Sequence, residues 1–132
     1  MKITADTNVL VRALVGDDRK QSRIAEQTLR EAELIALPIP MLCELVWVLS
    51  QGYKIATPDI AAAIRRLLDG ANVAVNRPAA EAGLAMLDAG GDFADGAIAY
   101  EGEWLGAETF VSFDTKAIKL ALTQGATAQL LK

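Results

Sequence analysis

The stretch "KITADTNVLVRALV" (Lys2–Val15) decides the fold, because it places a strand, an acid and a helix in direct succession. Lys2–Asp6 is typical of a short strand that ends on an acid. Asn8–Val15 has the apolar spacing of a helix, with Thr7 or Asn8 as its cap. The same alternation continues along the chain. Strands that alternate with helices predict parallel pairing, with helices on both faces of the sheet.

The remaining elements follow from composition, prolines and glycines. Strands are predicted over 34–38, 71–76 and 109–114, with a short edge strand over 127–131; helices are predicted over 17–33, 40–53, 57–70, 78–91, 92–106 and 115–125. No repeat or linker interrupts this order. We therefore expect an α/β fold with a short parallel sheet, and a chain of 132 residues predicts a single domain over 1–132.

Composition excludes several kinds of chemistry. The chain has no histidine and one cysteine, so it has no Ser-His-Asp triad, no Cys-His pair and no ordinary zinc site. The lone cysteine, the lack of an apolar signal region and the lack of a membrane span predict a cytoplasmic protein. A formal net charge of −4 argues against binding of polyanions by charge alone.

Acids without nearby cations are the most informative feature of the sequence. No lysine, arginine or histidine lies between Pro78 and Thr115, whereas eight acids do. Asp6 and Asp114 end predicted strands, so both are expected at the same sheet edge, where the functional crevice of such sheets lies. Capping of the next helix is the alternative reading for each. Glu44 lies in "PMLCELVWVL" among apolar neighbours, which predicts a buried carboxylate that needs a cation, unless it reaches water.

Asp92 and Asp95 lie three residues apart in "GDFADGAIAY" (Gly91–Tyr100). Helix capping explains Asp92 well. It explains Asp95 less well, because Asp95 is flanked by small and apolar residues that would let a backbone or a ligand approach. A shared Mg²⁺ or Mn²⁺ ion would explain all of these acids, since such ions prefer oxygen ligands and activate water without an imidazole base.

Four pieces of the chain together resemble the PIN domains, and most closely the VapC-type toxins of bacterial toxin–antitoxin modules. They are "ADTNVLVR", the glutamate in "LPIPMLCELVWVL", "DFADGAIAY" and "TFVSFD", in the family's order and approximate spacing. The resemblance covers essentially the whole chain. It implies a three-layer α/β/α sandwich, Mg²⁺- or Mn²⁺-dependent endoribonuclease activity on RNA, and a cognate antitoxin that blocks the site.

The resemblance also assigns residues. Asp6, Glu44, Asp95 and Asp114 match the family's acidic quartet, Asp92 matches an auxiliary acid of a subset, and Asn8 and Ser112 match supporting polar positions. Whether Asp92 or Asp95 is the principal third acid stays open. Arg12 and Lys116 follow Asn8 and Asp114 closely enough to reach a phosphate at the metal.

Partners and alternative functions complete the sequence-based expectations. Trp47, Leu49, Tyr53 and Trp104, if exposed, would suit an antitoxin helix or a homodimer face. A phosphatase or phosphoacceptor domain also places aspartates at strand ends, but this chain has Asn8 where a haloacid dehalogenase has a second aspartate. A non-catalytic PIN-like binding module is the third reading, and the complete quartet argues against it.

Overall fold

Helices and strands alternate throughout the computed structural model, which describes residues 1–132. The chain divides into two compact units, an N-terminal unit (Met1–Asn76) and a C-terminal unit (Arg77–Lys132). None of the helices is both long and apolar enough to cross a membrane.

The N-terminal unit contains a three-stranded parallel sheet and four helices. Its elements in chain order are β1 (Lys2–Thr4), α1 (Thr7–Val15), α2 (Arg19–Glu31), β2 (Leu34–Ala36), α3 (Ile39–Trp47), a π-helical segment (Val48–Gly52), α4 (Thr57–Leu68) and β3 (Val73–Ala74). The strand order is β1-β2-β3, with Ile35 opposite both Ile3 and Val73. Parallel neighbours need crossover connections, and the helices between the strands supply them.

The C-terminal unit contains three helices and a two-stranded parallel sheet. Its elements are α5 (Arg77–Asp88), α6 (Phe93–Trp104), β4 (Phe110–Ser112), α7 (Thr115–Thr123) and β5 (Ala128–Leu130). Phe110 of β4 lies opposite Ala128 of β5. A Cβ at Gly96 of α6 would overlap the carbonyl oxygen of Ala82 on α5, so glycine is what allows these two helices to approach so closely.

The expected α/β fold with parallel strands is confirmed, and its cores are apolar. Leu10, Leu42, Leu45 and Ile64 have no exposed surface in the N-terminal unit, and Leu84 and Phe93 have none in the C-terminal unit. Burial of a side chain of this size contributes about 1.5–3 kcal/mol.

The strands pair into two sheets, where the sequence predicted one short sheet. β4 pairs with β5 in a sheet of its own, and the backbone bonds around it, from Phe110 N to Thr127 O and from Leu131 N to Ser112 O, stay within the C-terminal unit. Asp6 and Asp114 therefore follow strands of different sheets. Alternating apolar residues indicate that a strand exists but carry little information about which strand it pairs with.

All five strands are shorter than predicted, and for two of them the reason is local. β1 ends at Thr4 and β4 at Ser112, in each case two residues before the aspartate that was expected to end the strand. Asp6 and Asp114 instead cap the helices that follow, so the chain has left the extended sheet geometry when it reaches them. The cap of α1 is thus Asp6, and neither Thr7 nor Asn8.

Candidate functional site

Asp6 caps α1 and keeps one carboxylate oxygen without a hydrogen bond from the protein. Its Oδ1 accepts a bond from the backbone N–H of Thr7 at 2.8 Å. Its Oδ2 accepts none, so the second oxygen is available to a ligand. The prediction that Asp6 caps the next helix is therefore correct, and capping occupies only one of its two carboxylate oxygens.

Asp6 and Glu44 line the same cavity, which has a volume of about 220 Å³. Asn8, Arg12 and Tyr53 line it as well. This places Asn8, a predicted supporting residue, and Arg12, a predicted substrate-binding residue, beside two of the four predicted acids. The cavity belongs entirely to the N-terminal unit.

Glu44 is exposed, so the prediction that it is a buried carboxylate is wrong. Apolar residues occupy nearly the whole circumference of α3, and the helix buries the stripe that contains Leu42 and Leu45. Glu44 and Trp47, three residues apart, lie on the other stripe, and Trp47 is 64% exposed. The carboxylate of Glu44 has no hydrogen bond or ion pair with the protein and is free to act in the cavity.

Arg12 is held by a network of polar side chains at the wall of this cavity. It forms an ion pair with Asp17 at 3.0 Å and donates a hydrogen bond from Nε to Gln21. The Tyr53 hydroxyl donates to Asp17 at 2.9 Å. The hydrogen bond from Tyr53, together with the charge of Arg12, lowers the pKa of the Asp17 carboxyl below its usual value.

Asp92 and Asp114 both cap helices of the C-terminal unit. Asp92 Oδ1 accepts from the backbone N–H of Ala94 at 3.2 Å. Asp114 Oδ1 accepts from the backbone N–H groups of Lys116 and Ala117. As with Asp6, the second oxygen of each carboxylate accepts no hydrogen bond from the protein.

Asp95 lies in the first turn of α6 and does not cap it. Partial burial, and then the negative charges of Asp92 and Asp114, raise the pKa of the Asp95 carboxyl above its usual value. The three acids are therefore electrostatically coupled within this unit. Neither oxygen of Asp95 has a hydrogen bond from the protein, which leaves its ionised form without compensation.

Ser112 and Lys116 flank Asp114. The hydroxyl oxygen of Ser112 accepts a hydrogen bond from the backbone N–H of Asp114 at 2.9 Å, which fixes the turn that carries the aspartate. The Lys116 side chain is exposed and forms no ion pair. Ser112 thus supports Asp114 through its backbone, and Lys116 keeps an unneutralised ammonium group two residues away.

Comparison with known protein families assigns the fold. The PIN domain family matches residues 3–122, which is most of the chain. The chain belongs to the PIN-domain family. PIN domains are generally metal-dependent nucleases, which use divalent ions and bind RNA. No curated protein matches the sequence.

The acids of this PIN domain have the chemistry that a divalent cation requires. Every predicted ligand is a carboxylate with at least one free oxygen, and Mg²⁺ and Mn²⁺ prefer oxygen ligands. Nowhere in residues 1–132 do three or more such side chains form a group with the geometry of a metal site.

Tyr53 and Asp17 are the site residues that sequence reasoning missed. The sequence indicates only a core or interface position for Tyr53 and a polar helix for Asp17. The segment Val48–Gly52 is π-helical, with the N–H of Tyr53 bonded to the carbonyl of Val48 at 3.2 Å. A helix of ordinary pitch was predicted there, and no local pattern indicated the wider turn that accompanies the placement of Tyr53 at the cavity.

Proposed function

We propose that this PIN domain is a Mg²⁺- or Mn²⁺-dependent endoribonuclease and the toxin of a VapBC-type toxin–antitoxin pair. One observation supports the metal-dependent activity in particular. Asp95 is partly buried beside the charges of Asp92 and Asp114 with no hydrogen bond to its carboxylate, and residues 79–114 contain no cationic side chain. Such an arrangement is unfavourable for the protein alone and favourable once a cation is bound.

The acids have different roles in this proposal. Asp6 and Asp95 would be the main direct ligands of the ions. Glu44 and Asp114 bind through water or orient the attacking water, and Asp92 is an auxiliary acid. Residues 1–132 then act as one PIN-like domain. The lone Cys43 is consistent with a cytoplasmic location.

The other site residues bind and orient the substrate. Asn8 lines the cavity of Asp6 and Glu44, and Ser112 holds the turn that carries Asp114. Arg12 and Lys116 bind phosphate groups of the RNA. When bound, Mg²⁺ or Mn²⁺ supplies a water of lowered pKa and neutralises charge on the scissile phosphate. Because the chain has no histidine, proton transfer falls to carboxylates such as Glu44 and to solvent.

A partly apolar groove supports the proposed antitoxin. It lies between α1 and α2 and has a volume of about 540 Å³; its lining is apolar at Val9, Ile24 and Ala25 and polar at Asn8, Arg12, Gln21 and Thr28. Ile24 is 56% exposed and adds apolar surface to this groove. An amphipathic helix that lays its apolar face in a groove is a common mode of peptide recognition.

Exposed tryptophans support a further protein interface, which we assign to a homodimer or a larger toxin–antitoxin assembly. Trp47 and Trp104 are 64% and 81% exposed. Leu49 is buried and Tyr53 lines the cavity, so these two side chains are not part of such a face.

Cleavage of RNA by the purified protein tests the nuclease. We expect new RNA ends with Mg²⁺ or Mn²⁺ and none with a chelator. Asp6→Asn and Asp95→Asn should each lower the rate by at least about 100-fold, because each removes a charged ligand of the ion. Asp59→Asn, an exposed acid on α4, is the matched control. Cleavage by Asp6→Asn at the wild-type rate would refute the assignment.

The same preparation separates the alternatives. Release of phosphate from small phosphoesters without RNA cleavage would favour a phosphatase. Equal metal binding by wild type and Asp95→Asn in calorimetry, without cleavage by either, would favour a non-catalytic module. The family match favours neither.

Growth on expression tests the toxin role. Wild type should arrest growth, Asp6→Asn should not, and the small protein encoded beside the toxin should restore growth and co-purify with it. Growth arrest by Asp6→Asn as strong as that by wild type would contradict the proposed toxin mechanism.

A further inference from the structure

The guanidinium of Arg12 is fixed by three neighbours. Its Nη1 donates to both oxygens of Asp17, at 3.0 and 3.2 Å, and approaches the hydroxyl oxygen of Tyr53 at 3.4 Å. Its Nε donates to Gln21 at 2.6 Å. The same Tyr53 hydroxyl donates to Asp17, so the three side chains form a closed triangle.

One nitrogen of this guanidinium is left over. Nη2 of Arg12 donates to no protein acceptor, and the side chain keeps 33% of its exposed area. A guanidinium binds a phosphate best when its planar donors are already oriented, since less side-chain entropy is then lost on binding. The guanidinium of Arg12 is therefore already oriented before a phosphate binds, and its Nη2 can still donate hydrogen bonds.

Arg12 lies beside two predicted metal-binding carboxylates, so the direction of its ion pair matters for the site. Arg12 and Tyr53 line the cavity of Asp6 and Glu44, yet Arg12 forms its ion pair with Asp17. An arginine beside two carboxylates with free oxygens would ordinarily neutralise one of them. Asp17 prevents this by supplying the partner from outside the cavity, so Asp6 and Glu44 stay available.

We propose that Asp17 and Tyr53 are positioning residues, which hold Arg12 away from the cavity carboxylates and present its free nitrogen to a phosphate of the RNA strand. This inference rests on the proposed nuclease function and adds a substrate-binding device to it. Asp17 and Tyr53 act through Arg12 and do not contact the substrate.

A purely structural role is the competing explanation. The triangle connects the loop between α1 and α2 to the end of the π-helical segment, so it could simply hold these elements together. The two explanations differ in what Asp17→Asn does to the KM for RNA. If the triangle is only structural, the variant removes a negative charge and does not raise the KM. If Asp17 positions Arg12, the variant weakens RNA binding and raises the KM.

Steady-state cleavage of a labelled single-stranded RNA distinguishes them. With Asp17→Asn and Tyr53→Phe we expect KM to rise about 3- to 10-fold while kcat stays within about twofold, because each loses hydrogen bonds that orient Arg12. Arg12→Lys should be nearly as weak as Arg12→Gln, since a lysine cannot form the planar fork. Asp59→Asn, Tyr100→Phe and Arg66→Gln are the matched controls and should keep the wild-type KM.

The salt dependence of RNA binding gives a readout that a structural role would not change. In fluorescence anisotropy with a chelator present, Arg12→Gln should reduce the slope of log affinity against log salt by about one. Tyr53→Phe should reduce it partially. An unchanged slope and KM in Tyr53→Phe and Asp17→Asn, or a lower KM in Asp17→Asn, would overturn the proposal.

The two assays distinguish failure of the positioning proposal from failure of the nuclease proposal. If wild type cleaves no RNA under any metal condition, the nuclease proposal fails on that result alone. The anisotropy series then still decides whether Arg12 binds RNA phosphate and whether Asp17 and Tyr53 support it. If cleavage is normal and the Arg12 variants match wild type in both assays, only the positioning proposal fails.

Discussion

At the scale of single residues, the environment of Asp95 disfavours its ionised form. Its folded-state pKa is raised by partial burial and by Asp92 and Asp114. For a raised pKa, the favourable contribution is complete below the unfolded-state pKa and is lost as pH rises through the folded-state pKa. At neutral pH the ionised carboxylate therefore destabilises the metal-free protein.

Asp95→Asn should consequently be more stable than wild type at pH 7 in a chelator. We expect a gain below about 1 kcal/mol, because the side chain is only partly buried and solvent screens its charge. The gain should vanish near pH 3, where wild type is protonated. Urea unfolding at both pH values measures it, and a variant that is less stable than wild type at pH 7 would contradict this account.

Asp114 allows capping and metal binding to be separated. Asparagine caps helices about as well as aspartate, so Asp114→Asn should change the metal-free stability by only a few tenths of a kcal/mol. Asp114→Ala should cost about 1 kcal/mol. Both should lose part of the stabilisation that Mn²⁺ gives wild type in thermal unfolding. If Asp114→Asn keeps the full Mn²⁺ effect, Asp114 is a cap only.

The sequence indicates which acids are candidates for the site, but it does not indicate the exposure of Glu44. Glu44 has apolar neighbours three and four residues away on either side, and this predicted burial. In a helix with apolar residues all round, periodicity cannot decide which stripe meets the core. Only the packing of Leu42 and Leu45 shows that Glu44 and Trp47 face outward.

At the scale of elements, the small residues of α6 were correctly interpreted as a place of close approach. The approaching group is the backbone of α5 at Ala82. Existence and order of the strands were also predictable, because apolar runs and turn residues mark them. Their pairing into two sheets and the π-helical segment were not, because both depend on hydrogen bonds that no local pattern specifies.

Gly96→Ala tests the close approach of α5 and α6. The added methyl group would overlap the Ala82 carbonyl, and overpacking of this kind typically costs about 1–3 kcal/mol or more. Gly102→Ala in the same helix is the matched control, because its Cβ would meet nothing closer than Ala107 Cβ at 4.0 Å. Chemical denaturation should show a loss for the first variant and none for the second. Equal effects would contradict the packing argument.

At the scale of the whole molecule, the nuclease proposal requires the two units to act as one domain. A chain of 132 residues is small for two independent cores. We expect one cooperative thermal transition, with equal calorimetric and van't Hoff enthalpies. Two separated transitions in scanning calorimetry would show that the N-terminal and C-terminal units unfold independently.

The net charge of −4 indicates that overall charge does not attract RNA, but it does not indicate where the cationic side chains lie. The sequence predicted that RNA must be attracted locally, and Arg12 was a candidate. Its restraint by Asp17 and Tyr53 depends on contacts between residues up to 41 positions apart, which composition and spacing do not reveal.

Anomalous diffraction from a crystal soaked in Mn²⁺ tests the central claim most directly, since it locates the ion without assuming any activity. We expect manganese at the carboxylate oxygens of Asp6 and of Asp95, with Glu44 and Asp114 bound directly or through water. No peak at these carboxylates, or manganese bound only elsewhere on the surface, would contradict it.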